Sequence, residues 1–179
     1  MQRHFSNTNL IILLGYMGSG KSTVGKALAA TLDYSFVDLD YFLEQKHQCT
    51  VPELFKSKGV KAFREAEHQA LKEVIQKKSP TVLSLGGGTP CYHDNMGLIK
   101  NTTPYTFYLD ASPKSLASRL FPHRFDRPLI AHLKTEEELK LFIAKHLFER
   151  QNFYLQASHK LDVSSLDVAN LLEQLKKLL

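Results

Sequence analysis

The chain has 179 residues, of which 43% are hydrophobic and 23% charged, with a formal net charge of +5. Such a length suits one domain, and the composition is that of a globular protein with a packed core, which excludes a disordered, collagenous or disulfide-stapled chain. No apolar stretch is long enough to span a bilayer, the N-terminal MQRHFSNTNL lacks the apolar centre of a secretory leader, and Cys49 and Cys91 alone make neither a disulfide framework nor a zinc site, so a cytoplasmic protein with free thiols is expected.

In chain order, LIILL (residues 10–14) is a buried-strand run that stops at Gly15. Lys21 to Leu32 has helical spacing, with Val24, Ala27, Leu28 and Thr31 on one face. SFVDLD (35–40) is a second strand and Tyr41 to Gln48 a helix. TVPELFKSKG opens with Thr50 as N-cap and Glu53 at the capping-box position, and Gly59 ends that short helix. Val60 to Lys78 is a long amphipathic helix broken by Ser79-Pro80.

TVLSL (81–85) is a third strand that runs into three glycines, and DNMGLIKN (94–101) a short helix. YTFYLD (105–110) is a fourth strand and Pro113 to Leu120 the helix after it. FPHRFDRPLI (121–130) reads as an exposed, mobile connection. A long helix follows with Thr135 as N-cap and acidic residues in its first turn. HKLDV (159–163) is a fifth strand, and DVANLLEQLKKLL (167–179) a closing amphipathic helix. Strands alternating with helices predict an α/β fold: three α/β/α layers around a five-stranded parallel sheet, with no repeat and no linker, hence one domain over residues 1–179.

The chemistry starts at GYMGSGKS, which fits G-x-x-x-x-G-K-[ST] from Gly15 to Ser22 between a strand and a helix. Glycines let successive backbone N–H groups turn towards an anion, and the helix adds its positive dipole end. Lys21 is suited to the β- and γ-phosphates and the Ser22 hydroxyl to Mg²⁺. No N-K-x-D guanine-reading motif accompanies the loop, and the chain is short for a motor ATPase, so a compact small-molecule kinase fits best.

Asp38 and Asp40 end the second strand, where alternation points both the same way and where open α/β sheets bind ligands. One suits a water-mediated metal contact and the other the proton of an attacking hydroxyl. Arg64 and Glu67 are spaced to pair on one helix face, and Arg127 and Arg150 are further candidates for gripping carboxylate or phosphate. The basic residues are scattered and not interleaved with aromatics, which argues against nucleic acid as a main partner.

Gly15–Thr23, DLD, FREAE, LSLGGG, RPL and ERxxxY together, in this order, resemble the shikimate kinase family over nearly the whole chain. The resemblance implies a P-loop NTPase fold of nucleoside monophosphate kinase type with a mobile lid at about 121–131, and transfer of the γ-phosphoryl of ATP to the 3-hydroxyl of shikimate in aromatic amino-acid biosynthesis. It implies ATP contacts from Gly18, Ser19, Gly20, Lys21, Ser22, Thr23, Arg119 (along the adenine) and the lid residue Arg127. Mg²⁺ falls to Ser22 directly and to Asp38 through water. Asp40, Arg64, Gly86, Gly87, Gly88 and Arg150 fall to the acceptor, with Glu67 buttressing Arg64 and with Lys21, Asp40 and Arg127 as the catalytic set. The implied partner is one small molecule; neither nucleic acid nor membrane is expected, and since nothing in the sequence demands an oligomer, a monomer is expected.

The chain departs from the family where Asn152 and Gln156 replace a frequent proline and glutamate. His93 is read as a loop or helix-start residue, since an aspartate fills the base role. The alternatives are a kinase for another hydroxylated acid such as gluconate, and a nucleotide-binding module without catalysis.

Overall fold

The computed structural model describes residues 9–165 and 167–179, so the N-terminal segment read for location lies, up to residue 8, outside the described residues. Five strands are found: β1 (Leu10–Leu14), β2 (Ser35–Asp38), β3 (Thr81–Ser84), β4 (Thr106–Asp110) and β5 (His159–Asp162). They form one parallel sheet in the order β2-β3-β1-β4-β5. Every residue of β1 is buried, which is why that strand is a run of aliphatics without alternation.

The helices are α1 (Lys21–Leu32), α2 (Leu39–His47), α3 (Val51–Gln76), α4 (Asn95–Thr102), α5 (Pro113–Leu120), α6 (Glu136–Tyr154) and α7 (Val168–Leu178). Ile11 and Leu13 face a core completed by α1, α5, α7 and the start of α6. Leu10, Ile12 and Leu14 face a second core completed by α2, α3, α4 and Tyr154 at the end of α6. The sheet is thus covered on both sides, as a parallel sheet requires, and α6 contributes to both layers.

The expected capping box of Thr50 with Glu53 forms on α3, and the expected N-cap Thr135 also closes a box with Glu138 on α6. The expected helix break at Gly59 appears as a kink within α3, with φ 76° and ψ 171°. Three expectations need correction. The inner face of α1 carries Val24, Gly25, Leu28 and Ala29, whereas Ala27 is half-buried and Thr31 exposed, its hydroxyl donating back to the Ala27 carbonyl at 2.8 Å. β2 stops at Asp38, and Asp40 lies in the first turn of α2. The connection after α5 is largely exposed, as expected, but Phe121–Asp126 winds as a 3-10 helix and Ile130 anchors the far end in the core. Among the described residues no helix is long and apolar enough to cross a membrane.

The glycine that ends β1 is fixed by sterics. Gly15 has φ +146°, and a Cβ there would lie 2.6 Å from the Leu109 carbonyl oxygen of β4, a backbone atom that cannot move without distorting the sheet. Gly15→Ala is expected to destabilise the protein by about 2–4 kcal/mol, lowering the thermal midpoint by roughly 5–15 °C in a calorimetric melt; an unchanged midpoint would show that the loop can relax.

Candidate active site

The phosphate loop, Gly15 to Gly20, leaves the carboxyl end of β1 and feeds α1, whose N-cap is Gly20 in a left-handed conformation. Gly86 to Gly88 leave the carboxyl end of the neighbouring β3. Between the two loops lies a cavity of about 350 Å³ lined by Met17, Gly18, Gly20, Lys21, Ser22, Thr23, Asp38, Asp40, Ser84, Leu85, Gly86, Gly87 and Arg127. A hollow of about 530 Å³ between α6 and the ends of β4 and β5 is larger, but it has no glycine-rich backbone to meet an anion.

The Lys21 ammonium donates to the Gly15 and Tyr16 carbonyls at 2.8 and 2.9 Å. Burial lowers its pKa to about 8, opposed by the Asp40 and Asp38 charges and helped by Arg127. Asp38 reaches the site as the N-cap of α2: its Oδ1 accepts from the Asp40 and Tyr41 N–H groups, and its Oδ2 accepts from the Ser22 hydroxyl at 2.8 Å. The two aspartates therefore converge through a helix cap and not through strand alternation. Burial, then the neighbouring Asp38 and Glu67 charges, push the Asp40 carboxyl up to about 6.

Around Arg64 a second cluster forms. Its Nη1 donates to Glu67 Oε2 at 2.8 Å, and Glu67 is 1% exposed. The guanidinium carbon lies 4.0 Å from the Tyr92 ring centre and 5.0 Å from that of Phe63. Arg64 Nε is buried and donates to no group among the described residues. Arg150, on α6, stands 5.7 Å from the Tyr16 ring centre and is close enough to Cys91 and Tyr154 to act on their ionisation.

The three glycines differ in what they exclude. A Cβ on Gly86 would lie 2.6 Å from Asp40 Oδ1 and 3.0 Å from Thr89 Oγ1; one on Gly88 would lie 2.8 Å from the movable tip of Arg64; one on Gly87 would meet nothing nearer than 3.5 Å. The Gly87 carbonyl instead accepts a hydrogen bond from the Tyr154 hydroxyl.

Not all the expected residues reach the cavity wall. Ser19 is fully buried with its hydroxyl unpartnered, and its N–H donates to the Tyr16 carbonyl. Arg119 donates to the Gly18 carbonyl and to those of Val163 and Ser164, which ties the phosphate loop to the segment after β5. Asn152 lies within an unbroken α6, where its carbonyl accepts from Gln156 Nε2, while Gln156 Oε1 accepts from Lys100. His93 has φ +50° and stacks on His68, away from the cavity wall. Sequence reasoning gave no role to Tyr16, Thr89, Tyr92 and Tyr154; for Tyr154 the signal was its i, i+4 spacing from Arg150, which puts both on one helix face.

A phosphate loop at the carboxyl end of a five-stranded parallel sheet, facing paired aspartates, defines a P-loop phosphotransferase. A family model described as shikimate kinase matches residues 17–179. Shikimate kinase from Flavobacterium johnsoniae is 42% identical over 155 residues, 87% of this chain and 90% of that relative. The one from Bacteroides fragilis is 42% identical over 173 residues, 94% and 95% of the two chains. The crystal structure of shikimate kinase from Bacteroides thetaiotaomicron superposes with a TM-score of 0.88 at 38% identity, covering 94% of this chain and 97% of that one. Shikimate kinase from Acinetobacter baumannii in complex with shikimate gives 0.84 at 28% identity, covering 97% and 94%. A gluconokinase from Sinorhizobium meliloti, with a TM-score of 0.57 at 18% identity, shares the fold alone. The chain belongs to the shikimate kinase family, whose members use ATP as co-substrate.

Three substitutions test this geometry. Ionised Asp40 is disfavoured in the fold, so its contribution lowers stability as pH rises from about 4, the unfolded value, through about 6, its folded value. Asp40→Asn is expected to stabilise the protein by about 2–3 kcal/mol at pH 8 and by almost nothing at pH 4; equal midpoint gains at both would count against the buried charge. Gly86→Ala is expected to reduce turnover about 100-fold or more, by displacing Asp40, while Gly87→Ala folds with an unchanged melt; the reverse ranking would refute the steric assignment.

Proposed function

We propose that this protein transfers the γ-phosphoryl group of ATP to the 3-hydroxyl of shikimate, giving shikimate 3-phosphate and ADP. The observation that carries the acceptor side is Arg64: Nη1 is held by buried Glu67 while Nε has no partner among the described residues. A guanidinium so held keeps the edge that grips a carboxylate in two hydrogen bonds, and stacking on Tyr92 fixes its plane. Arg150, reaching across from α6, supplies the second positive charge.

Phosphoryl transfer needs alignment and charge neutralisation more than covalent chemistry from the protein. Asp40, with its pKa raised to about 6, is ionised at neutral pH and still basic enough to take the hydroxyl proton as oxygen attacks phosphorus. As the new O–P bond forms, the bond from the γ-phosphorus to the bridging oxygen breaks and ADP leaves. Lys21 follows the charge on the γ-phosphoryl, since an anion beside it offsets the burial that lowers its pKa. The backbone N–H groups of the phosphate loop and Thr23 hold the remaining phosphates. The bonds of Arg119 lie in the plane of its guanidinium, which leaves the faces of that plane for an adenine ring.

Ser22 and Asp38 offer hard oxygen donors 2.8 Å apart. Among the described residues no group of three or more acidic, His or Cys side chains forms a cage. That donor set suits Mg²⁺, which keeps waters and takes phosphate oxygens in place of an all-protein cage. Ser22 would hold it directly and Asp38 through water, and once bound it would neutralise charge on the β- and γ-phosphates.

The largely exposed segment 121–131, anchored at Ile130, acts as a lid on the single domain, bringing Arg127 to the transferred group and excluding water, which otherwise competes as acceptor. The free thiols of Cys49 and Cys91 suit the cytoplasm. Small-molecule chemistry of this kind requires neither a nucleic acid, a membrane nor a second subunit.

A coupled assay for ADP release tests the reading. Turnover is expected to require shikimate and Mg²⁺ together, and no shikimate-dependent ADP release above background would refute it. Arg64→Ala and Arg150→Ala are each expected to raise the KM for shikimate roughly 100-fold and to leave nucleotide affinity, measured separately by calorimetry, within about twofold.

A further inference from the structure

Behind the three-glycine turn, α3 presents His68 one residue after Glu67. His68 Nδ1 and Asn95 Oδ1 are 2.5 Å apart. Asn95 Nδ2 donates to the Thr89 carbonyl at 2.8 Å, and the Thr89 hydroxyl donates to Glu67 Oε1 at 2.6 Å. The other oxygen of Glu67 accepts from Arg64. The bonds therefore close a ring that leaves α3 at His68, crosses Asn95 and Thr89, and returns to α3 at Glu67. Thr89 and Asn95 are fully buried, and Glu67 nearly so.

The chemistry of the ring fixes its direction. A carbonyl admits only a donor, so Asn95 turns its amide nitrogen to Thr89 and its oxygen to His68. His68 must then carry hydrogen on Nδ1. Protonation at Nε2 leaves that donor in place, so both charge states of the imidazole hold the ring closed. His93 stacks on His68 with ring centres 4.9 Å apart and holds its plane from outside.

We propose that His68, Asn95 and Thr89 are positioning residues for the acceptor, clamping the Gly86–Cys91 turn to α3 so that Glu67 holds Arg64 in carboxylate-gripping register. This rests on the reading of Arg64 as the acceptor's carboxylate ligand. Thr89 also lies beside Gly86, 3.0 Å from where a Cβ would stand, so the backbone facing the acceptor and the arginine gripping it share one support. Removing a member strands a buried polar partner, which costs more than the bond itself contributes.

Steady-state kinetics with shikimate and ATP varied separately, alongside thermal melts, test it in paired variants. Thr89→Val and His68→Leu remove a donor; Thr89→Ser and His68→Asn retain one at nearly the same place. The first pair is expected to raise the KM for shikimate about tenfold, with the KM for ATP within about twofold and kcat falling less than KM rises. The second pair is expected to stay within about threefold of the parent. Should Thr89→Val fail to fold, His68→Leu at the half-buried rim carries the comparison with His68→Asn. The proposal is overturned if both KM values rise together, or if the donor-retaining variants are no better than the others. Parent protein that turns over shikimate while all four variants match it overturns the ring alone; parent protein that does not turn it over overturns the Arg64 reading, and the ring with it.

Discussion

A carboxylate with almost no access to water must have its charge matched and both oxygens bonded, or it destabilises everything packed against it. Glu67 imposes that condition on the wall that carries Arg64 and the three-glycine turn. One oxygen takes Arg64 and the other takes Thr89, so a single buried charge determines both where the guanidinium points and how the three-glycine turn sits on α3. Neither is free to adjust alone. The aromatic wall of Tyr92, Phe63 and Phe55 around the guanidinium removes water from the same place, which strengthens any charge pairing made there.

The opposing half of the cleft is built on a mutual dependence of Lys21 and Asp40. Each is buried enough to resist its own ionisation, and each eases that of the other. The resulting values, about 8 for the lysine and about 6 for the aspartate, bracket neutral pH. The same pair can therefore carry opposite charges while both lie within reach of proton exchange. Asp38 raises both pKa values, yet its oxygens are already engaged by the start of α2 and by Ser22. It is tied to helix and phosphate loop at once and has little freedom to serve as a base.

What was legible in the sequence follows from how local each signal is. The phosphate loop, the capping box at Thr50 and the N-cap at Thr135 depend on neighbours within a few residues, and they appear at the expected positions. Strand alternation misplaced Asp38 and Asp40 because Asp38 caps a helix that begins one residue later, and an Asx cap competes with strand continuation at every such position. The inner face of α1 also differs from its expected set. Gly25 lies there because Phe36 of β2 leaves no room for a Cβ, a constraint that eleven residues of separation hide. The ring through Thr89 and Asn95 was invisible for the same reason, since nothing in LSLGGGTPCYHDN says that α3 lies behind it.

The two glycine turns also show why equal composition does not mean equal function. In the first, Gly15 and Gly20 hold backbone angles that side chains rarely adopt, and conformational freedom is what glycine supplies. None of Gly86, Gly87 and Gly88 has a positive φ. Gly86 is bare where the Asp40 carboxylate occupies the space of its Cβ, whereas a Cβ on Gly88 would meet only the movable tip of Arg64. A turn that needed only a left-handed residue would tolerate asparagine there; a turn in which the Asp40 carboxylate stands where the Gly86 side chain would be does not. The second cluster is thus specified from outside itself, by side chains of α2 and α3.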